Sequence, residues 1–211
     1  MSELSAKKTI VVPEFEFKKD RFMYALTKRF FDLFASLLLI IILLVPMIIV
    51  FIIVKLDGGP AIFKQQRLGK NGKQFTILKF RTMVVHAEED GFKWATPDDP
   101  RVTKFGRFLR KTQIDEWLQF FNILIGQMSF VGPRPEVKDL HDKFCQYVIG
   151  FEKRLLVKPG LTGWAQVNGG AALLPEEKIM FDIEYIKRRS LGFDLKCLWK
   201  TIKVIFSPQG D

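Results

Sequence analysis

Histidine and cysteine are scarce in this chain, two of each in 211 residues, and their scarcity excludes several chemistries. Cys145 and Cys197 are too few and too far apart for a disulfide framework, and they suit reduced thiols in a cytosolic setting. His86 and His141 supply neither a Cys/His zinc site nor a histidine-based triad. Zinc-ligand spacing, a basic heptad helix and an RNP-type strand are all missing, so nucleic acid is not the expected partner. Repeats and low-complexity tracts are missing too. No secretory leader is read, because the apolar run starts late and lacks a small-residue cleavage site. There is one long apolar run, which excludes an enzyme built from many spanning helices. What the chain has in excess is positive charge, with 33 Lys and Arg against 23 Asp and Glu and a net charge of +10. An anionic partner follows, either lipid headgroups or a phosphorylated substrate.

The apolar run extends from Leu33 to Val54 without a charged residue. A straight helix of that length rises roughly 33 Å, enough to cross a hydrocarbon core. Pro46 lies inside the run, and Lys or Arg flanks it on both sides, with Lys18, Lys19, Arg21, Lys28 and Arg29 before and Lys55, Lys64, Arg67 and Lys70 after. A spanning helix carries its basic excess on one side only, so the flanks point to a bent helix that re-enters the face it left, with a kinked crossing as the alternative. The chain divides into a flexible tail at 1–20, a membrane region at 21–57, re-entrant or kinked and crossing, and a domain at 58–211. The expected fold is α+β, mostly helical, with a small β-hairpin and interfacial amphipathic helices.

Pro60 to Arg81 reads as that hairpin, with strands at 61–63 and 74–80 and Asn71-Gly72 as its tight turn. Lys79 and Arg81, two residues apart, are expected on one strand face as an anion grip. Residues 84–90 read as a short helix and 137–150 as a longer one. Between them, Arg101, Lys104, Arg107, Arg110 and Lys111 form the densest basic patch. The segment Arg110 to Pro135, RKTQIDEWLQFFNILIGQMSFVGPRP, follows. Its apolar residues Ile114, Trp117, Leu118, Phe121, Leu124 and Ile125 recur at helical spacing, which predicts an amphipathic helix N-capped by Thr112 and ended by Gly126. Asp115, Gln119 and Asn122 fall on its polar face, while Glu116 lies about 100° away from Asp115. Carboxylates flanked by cations suit a phosphate-handling site. A last helix, with Leu195, Leu198, Trp199, Ile202 and Ile205 on one face and lysines elsewhere, suits a membrane interface, or equally the domain core.

Taken in order, these motifs resemble the bacterial sugar transferase family, the monotopic phosphoglycosyl transferases. Lys79-Phe80-Arg81-Thr82-Met83, Arg110 with Asp115-Glu116, Met128-Ser129 and Val131 to Pro135 match its signature. So do Pro159 to Gly169 and the Phe181-Asp182-x-x-Tyr185-Ile186 pattern. Two departures stand out. Val45 precedes Pro46 where the family has serine, and Gly170 stands where an arginine is usual, with Lys153 or Arg154 as weak substitutes. The resemblance decides for a re-entrant membrane region at 21–57 and implies that 58–211 is the catalytic domain on the cytosolic face, transferring a sugar 1-phosphate from a nucleotide diphosphate sugar to a polyprenyl phosphate at the inner leaflet of the bacterial cytoplasmic membrane. It implies Asp115 as nucleophile and Mg²⁺ contact, and Glu116 as proton acceptor or metal-ordering group. Lys79, Arg81, Arg110 and Arg134 would be the phosphate ligands, and Mg²⁺ the cofactor. A homo-oligomer is left open. The rival readings are a direct phosphotransferase without a covalent intermediate and a basic membrane-tethered scaffold that binds anionic lipid or nucleic acid.

Overall fold

A computed structural model of the chain describes residues 10–18, 22–87 and 99–205. It is a mostly helical α+β domain with three two-stranded sheets and one long apolar helix near its N-terminal end. That helix, α1 (Phe22–Leu56), runs 35 residues and is continuous through Pro46. One face is buried along its length, at Asp32, Ser36, Met47, Val50 and Val54, and the other faces expose leucine, isoleucine and phenylalanine. The buried positions recur at the period of a helix that lies along the domain on a single stripe. Both ends are fastened. Near the start, Tyr24 and Lys28 donate to Asp194 Oδ2 at 3.0 and 2.9 Å. At the far end the Arg81 guanidinium donates to Val54 O at 3.0 Å and also to Gly58 O.

The hairpin pairs β2 (Ile62–Leu68) with β3 (Gln74–Phe80) in antiparallel register from Ile62 opposite Phe80 to Leu68 opposite Gln74. Its first strand is longer than the sequence pattern indicates, because Lys64, Gln66 and Arg67 pair along β3 in spite of their polarity. The turn forms at Asn71 and Gly72, whose φ values of 57° and 74° are those a tight reversal needs. Helix α2 (Lys104–Lys111) is capped by Thr103, whose hydroxyl accepts from Gly106 N at 2.9 Å.

The helix expected from Thr112 onward is not continuous. Thr112 ends α2 and donates its hydroxyl back to Phe108 O at 2.8 Å, a C-terminal role. Gln113 then enters the left-handed region at φ 56°, Ile114–Glu116 form one 3-10 turn, and α3 (Gln119–Leu124) starts afresh. Gly126, φ 88°, ends α3 as expected. Helical spacing persists across the break because a 3-10 turn and an α-helix keep nearly the same apolar side inward. Asn122 does not join Asp115 on a polar face. It is 1% exposed and laces α3 to β3, donating to Thr76 O at 2.8 Å and accepting from Leu78 N at 3.1 Å.

Two further strand pairs organise the rest. β4 (Ser129–Val131) runs parallel to β6 (Gly160–Thr162). β1 (Ile10–Val11) runs parallel to β5 (Val148–Ile149), so the helix expected over 137–150 is α4 (Lys138–Cys145) followed by a strand. Residues 10–18, expected as part of a loose tail, are docked. Val12 is 1% exposed, Lys153 and Lys187 lie over the Phe15 ring, and Arg189 lies over Phe17. Of the short helix expected over 84–90, residues 85–87 form a turn and the remainder lies outside the described residues, as does most of the loop at 91–100.

Helix α5 (Pro175–Arg188) has proline in its first turn, and α6 (Leu191–Ile205) closes the domain. α6 buries Phe193, Asp194 and Cys197 and exposes Leu191, Leu195, Trp199 and Ile202. Leu198 turns to the core instead of joining that exposed stripe.

Candidate active site

The site gathers at the end of β3, the 3-10 turn and the loop after β4. Glu116 Oε1 accepts from Lys79 Nζ at 2.7 Å and from Arg134 Nη2 at 2.6 Å. Asn122 fixes β3 against α3, and that lacing sets Lys79 opposite Glu116. Burial works to raise the Glu116 pKa, but the charges of Arg134 and Lys79 outweigh it and hold the carboxyl well below the usual range. Arg134, facing Glu116, is raised in turn.

Asp115 is the opposite case. It is 8% exposed and makes no hydrogen bond or ion pair among the described residues. Burial pushes its pKa up to about 6, with the Glu116 charge adding, against the pull of Lys79, Arg134 and, most weakly, Arg110. Arg110 and a helix terminus do little to lower it. Arg110 Nε donates to Thr82 Oγ1 at 2.9 Å, and the turn that carries Asp115 is too short for an appreciable dipole. A desolvated carboxylate without donors is a stronger base and a better nucleophile than one held by two cations.

Four of the six expected site residues converge, namely Lys79, Asp115, Glu116 and Arg134. Arg110 stands next to them on Thr82. Arg81 is not turned to the acids. β3 ends at Phe80, and the Arg81 side chain, 8% exposed, donates from Nε to Pro60 O at 2.8 Å as well as to the carbonyls closing α1. Strand alternation fails for Lys79 and Arg81 because only the first of them is in the strand.

Below the site lies a second set of charges, of which the sequence reading named Asp182 and Arg154 but neither Glu136 nor Lys178. Arg154, 3% exposed, donates to Glu136 Oε1 at 3.2 Å and to Arg134 O at 2.8 Å, and its Nη2 lies 2.8 Å from Asp182 Oδ2. That last contact is an ion pair without hydrogen-bond alignment, since Oδ2 has no hydrogen-bond partner. Lys178 completes the cluster with a 3.2 Å bond to Glu136 Oε1. Arg154 is thus held against the Arg134 backbone, and Lys153 lies over the Phe15 ring. Asp182 among Ile179, Ile183 and Ile186 was the available signal, an acid on the buried face of a helix.

The two glycine-bearing motifs are one structural unit. Gly132 N donates to Thr162 O and Gly160 N to Pro133 O, each at 2.9 Å. A Cβ on Gly160 would lie 2.1 Å from Gly132 N, and one on Gly132 would lie 2.3 Å from Lys158 O. The close approach these glycines permit is between two loops.

The sequence profile described as "Bacterial sugar transferase" matches residues 23–208. The chain belongs to that family. Among its relatives, the UDP-N-acetylgalactosamine-undecaprenyl-phosphate N-acetylgalactosaminephosphotransferase of Aeromonas hydrophila is 40% identical over 192 residues, covering 89% of this chain and 45% of the relative. The UDP-glucose:undecaprenyl-phosphate glucose-1-phosphate transferase of Escherichia coli (strain K12) is 40% identical over 183 residues, 84% of this chain and 39% of the relative. The uncharacterized sugar transferase EpsL of Bacillus subtilis is 41% identical over 186 residues and is matched over 90% of its length, 88% of this chain. The chain thus spans less than half of the first two relatives. In this bacterial sugar transferase, the Lys79–Glu116–Arg134 bridge, the free Asp115 and the interlocked loops all fall inside the family segment.

Proposed function

We propose that the protein transfers a sugar 1-phosphate from a UDP-sugar to undecaprenyl phosphate at the membrane surface, as an initiating step of surface-glycan assembly. The observation that carries this reading is the split between two neighbouring acids. Glu116 is held by two cations, and Asp115 is buried beside it with no donor. Such a split assigns different work to each.

In the first step an Asp115 carboxylate oxygen attacks the sugar-bearing phosphorus. An aspartyl-phosphosugar bond forms, and the bond to the bridging oxygen breaks, so that UMP leaves with the electron pair. A phosphate oxygen of the lipid acceptor then attacks the same phosphorus and Asp115 departs, restored. Both partners of Asp115 are anions, so approach requires neutralisation. Arg134, which is 45% exposed, and Lys79 stand where phosphate oxygens would draw them partly off Glu116. The Nη groups of Arg110 make no hydrogen bond among the described residues and remain for the same use. Glu116, with its proton affinity lowered, suits ordering these cations better than accepting a proton. Arg81 serves by closing α1 onto the hairpin.

Mg²⁺ fits this donor set in the mode in which one or two carboxylates hold it and substrate phosphates complete the shell. Asp115 and the unengaged Glu116 Oε2 would hold it, and the charge it supplies would offset that of the diphosphate. Activity is expected to vanish in excess chelator and to return with Mg²⁺.

The re-entrant course of α1 belongs to the same reading. Its support is that residues 10–18, before the helix, and the domain after it pack on one another, and that both helix ends are fastened to that domain. Cysteines placed singly at Glu14 and Asn71 should both resist an impermeant thiol reagent in intact cells lacking the native thiols. Labelling at Glu14 alone would establish a crossing.

The test of the reaction is UMP release from membranes given undecaprenyl phosphate and a panel of UDP-sugars, with intact-protein mass after donor alone. A sugar-phosphate adduct that lipid acceptor discharges is expected. Turnover with sequential kinetics and no adduct would sink the covalent route, and silence with every donor would sink the transfer itself.

A further inference from the structure

Two charged residues of α1, Arg29 and Asp32, reach past the apolar interface and each holds a different half of the candidate site. Arg29 Nη1 and Nη2 donate to Ile123 O at 2.9 Å and Leu124 O at 2.8 Å. These are carbonyls of the last turn of α3, where Ile123 O also accepts from Gly126 N at 2.9 Å. Asp32, 2% exposed, accepts on one oxygen, Oδ1, from Ser129 Oγ at 3.1 Å and Phe130 N at 3.0 Å. β4 pairs with β6 through Ser129 and Val131, so the intervening Phe130 N–H points to the other edge. Asp32 stands there in place of a neighbouring strand. Three residues beyond Val131 the chain delivers Arg134 to Glu116.

A carboxylate on the buried stripe of so apolar a helix is expensive, and an apolar side chain would avoid that expense. It would also leave the Phe130 N–H orphaned. Other bonds on this segment come from the domain itself, since Ser129 N donates to Pro159 O and Gly132 N to Thr162 O, each at 2.9 Å, Tyr185 Oη donates to Val131 O at 3.1 Å and Arg154 Nη2 to Arg134 O at 2.8 Å. Among the described residues, Asp32 supplies the hydrogen bonds from the membrane helix to β4, and the Phe31 ring packs edge-on against Phe130 at 5.7 Å.

We propose that Asp32 is a positioning residue for the transfer reaction, fixing β4 and through it the Arg134 loop, so that α1 is part of the active-site scaffold as well as the anchor. The inference rests on the transfer reaction proposed above. With the clamp gone, the loop keeps its covalent place but loses its register against Glu116. Misplacement of a catalytic group by about 1 Å is worth on the order of a hundredfold in rate.

The test uses the full chain in anionic phospholipid nanodiscs and compares Asp32→Leu with Asp32→Asn. Asparagine keeps an Oδ1 acceptor for both donors and leucine keeps none. Expected for leucine is a kcat lower by about 10–100-fold with a smaller change in the donor KM, and faster amide exchange confined to Phe130 and its neighbours. Asparagine should recover kcat to within about threefold. Should Asp32→Leu fail to accumulate, Asp32→Ser replaces it, polar but too short to reach either donor. Wild-type kcat in the leucine or serine variant, or asparagine as defective as leucine, overturns the proposal. Amide exchange reads the clamp without turnover. A wild type silent with every UDP-sugar therefore counts against the transfer reading, whereas unchanged exchange at Phe130 in the leucine variant counts against the clamp.

Discussion

The protein contains two clusters of two acids and two cations, and they are used in opposite ways. In the first, Asp115, Glu116, Lys79 and Arg134, both cations converge on Glu116 and leave Asp115 alone, and Arg134 keeps 45% of its side chain in solvent. In the second, Glu136, Asp182, Arg154 and Lys178, Arg154 reaches both acids and is itself 3% exposed. With the same charges in equal number, one cluster leaves an acid without a partner at an open edge and the other leaves none. The clusters are joined, since Arg154 also donates to the backbone carbonyl of Arg134. The sealed cluster thereby braces the loop that carries Arg134 to the open one.

The comparison breaks hardest at Asp115. Asp115→Asn should lower UMP release by roughly a thousandfold or more, yet leave the melting temperature unchanged or slightly higher, because a desolvated charge is removed with no bond lost. A variant with ordinary turnover would move the nucleophile elsewhere. Arg154→Met should do the reverse. It leaves Glu136 and Asp182 buried without their main partner, and a loss of about 3–5 kcal/mol is expected by denaturant unfolding, with activity falling in step with folded protein. Unaltered stability would show that the cluster is not what holds the loop.

A smaller effect sharpens the contrast inside the open cluster. Glu116→Gln frees Lys79 and Arg134 from their anchor, and turnover should fall by about 10–100-fold while the phosphosugar adduct still forms. Complete loss of the adduct would give Glu116 a part in the first step. The smallest effect belongs to pH and the closed cluster. Burial raises the Asp182 pKa from 3.8 to about 6, against the charges of Arg154 and Lys178 and with that of Glu136. The folded protein thus binds the Asp182 proton more tightly than the unfolded chain. This group's contribution is largest below pH ~4, declines as pH rises toward about 6 and is flat above, by at most ~3 kcal/mol in all. The stability difference between the wild type and Asp182→Asn should drift by up to that amount over this window, in the direction favouring the variant at higher pH. A pH-independent difference would show that Asp182 keeps an ordinary pKa.

The motif residues Lys79, Asp115, Glu116 and Arg134 were named from the sequence by their resemblance to the family's motifs, and each sits in a short segment whose local geometry barely depends on the rest of the chain. A hairpin strand, one turn and a proline-stiffened loop are of this kind. The apolar stretch of α1, the Asn71-Gly72 turn and the helix stop at Gly126 were legible for the same reason, since φ preference and hydropathy are properties of a few neighbouring residues. Thr112 was misread as a helix start because its hydroxyl can serve either end of a helix, and only the left-handed Gln113 after it tells which.

Partner choice was not legible. Whether Arg81 meets a phosphate or the carbonyls of α1, whether Asn122 faces solvent or laces β3, and which of two adjacent acids is left unpaired depend on groups brought together from 20 to 50 residues away. The same holds for Asp32, whose partners in β4 are nearly a hundred residues distant. By itself the sequence determined the family, the membrane-seeking helix and the list of charged residues, because composition and local motif are enough for these. Only the tertiary structure decided which charges neutralise one another, because a pKa and a hydrogen bond depend on distance and burial, and neither is a property of a residue's place in the chain.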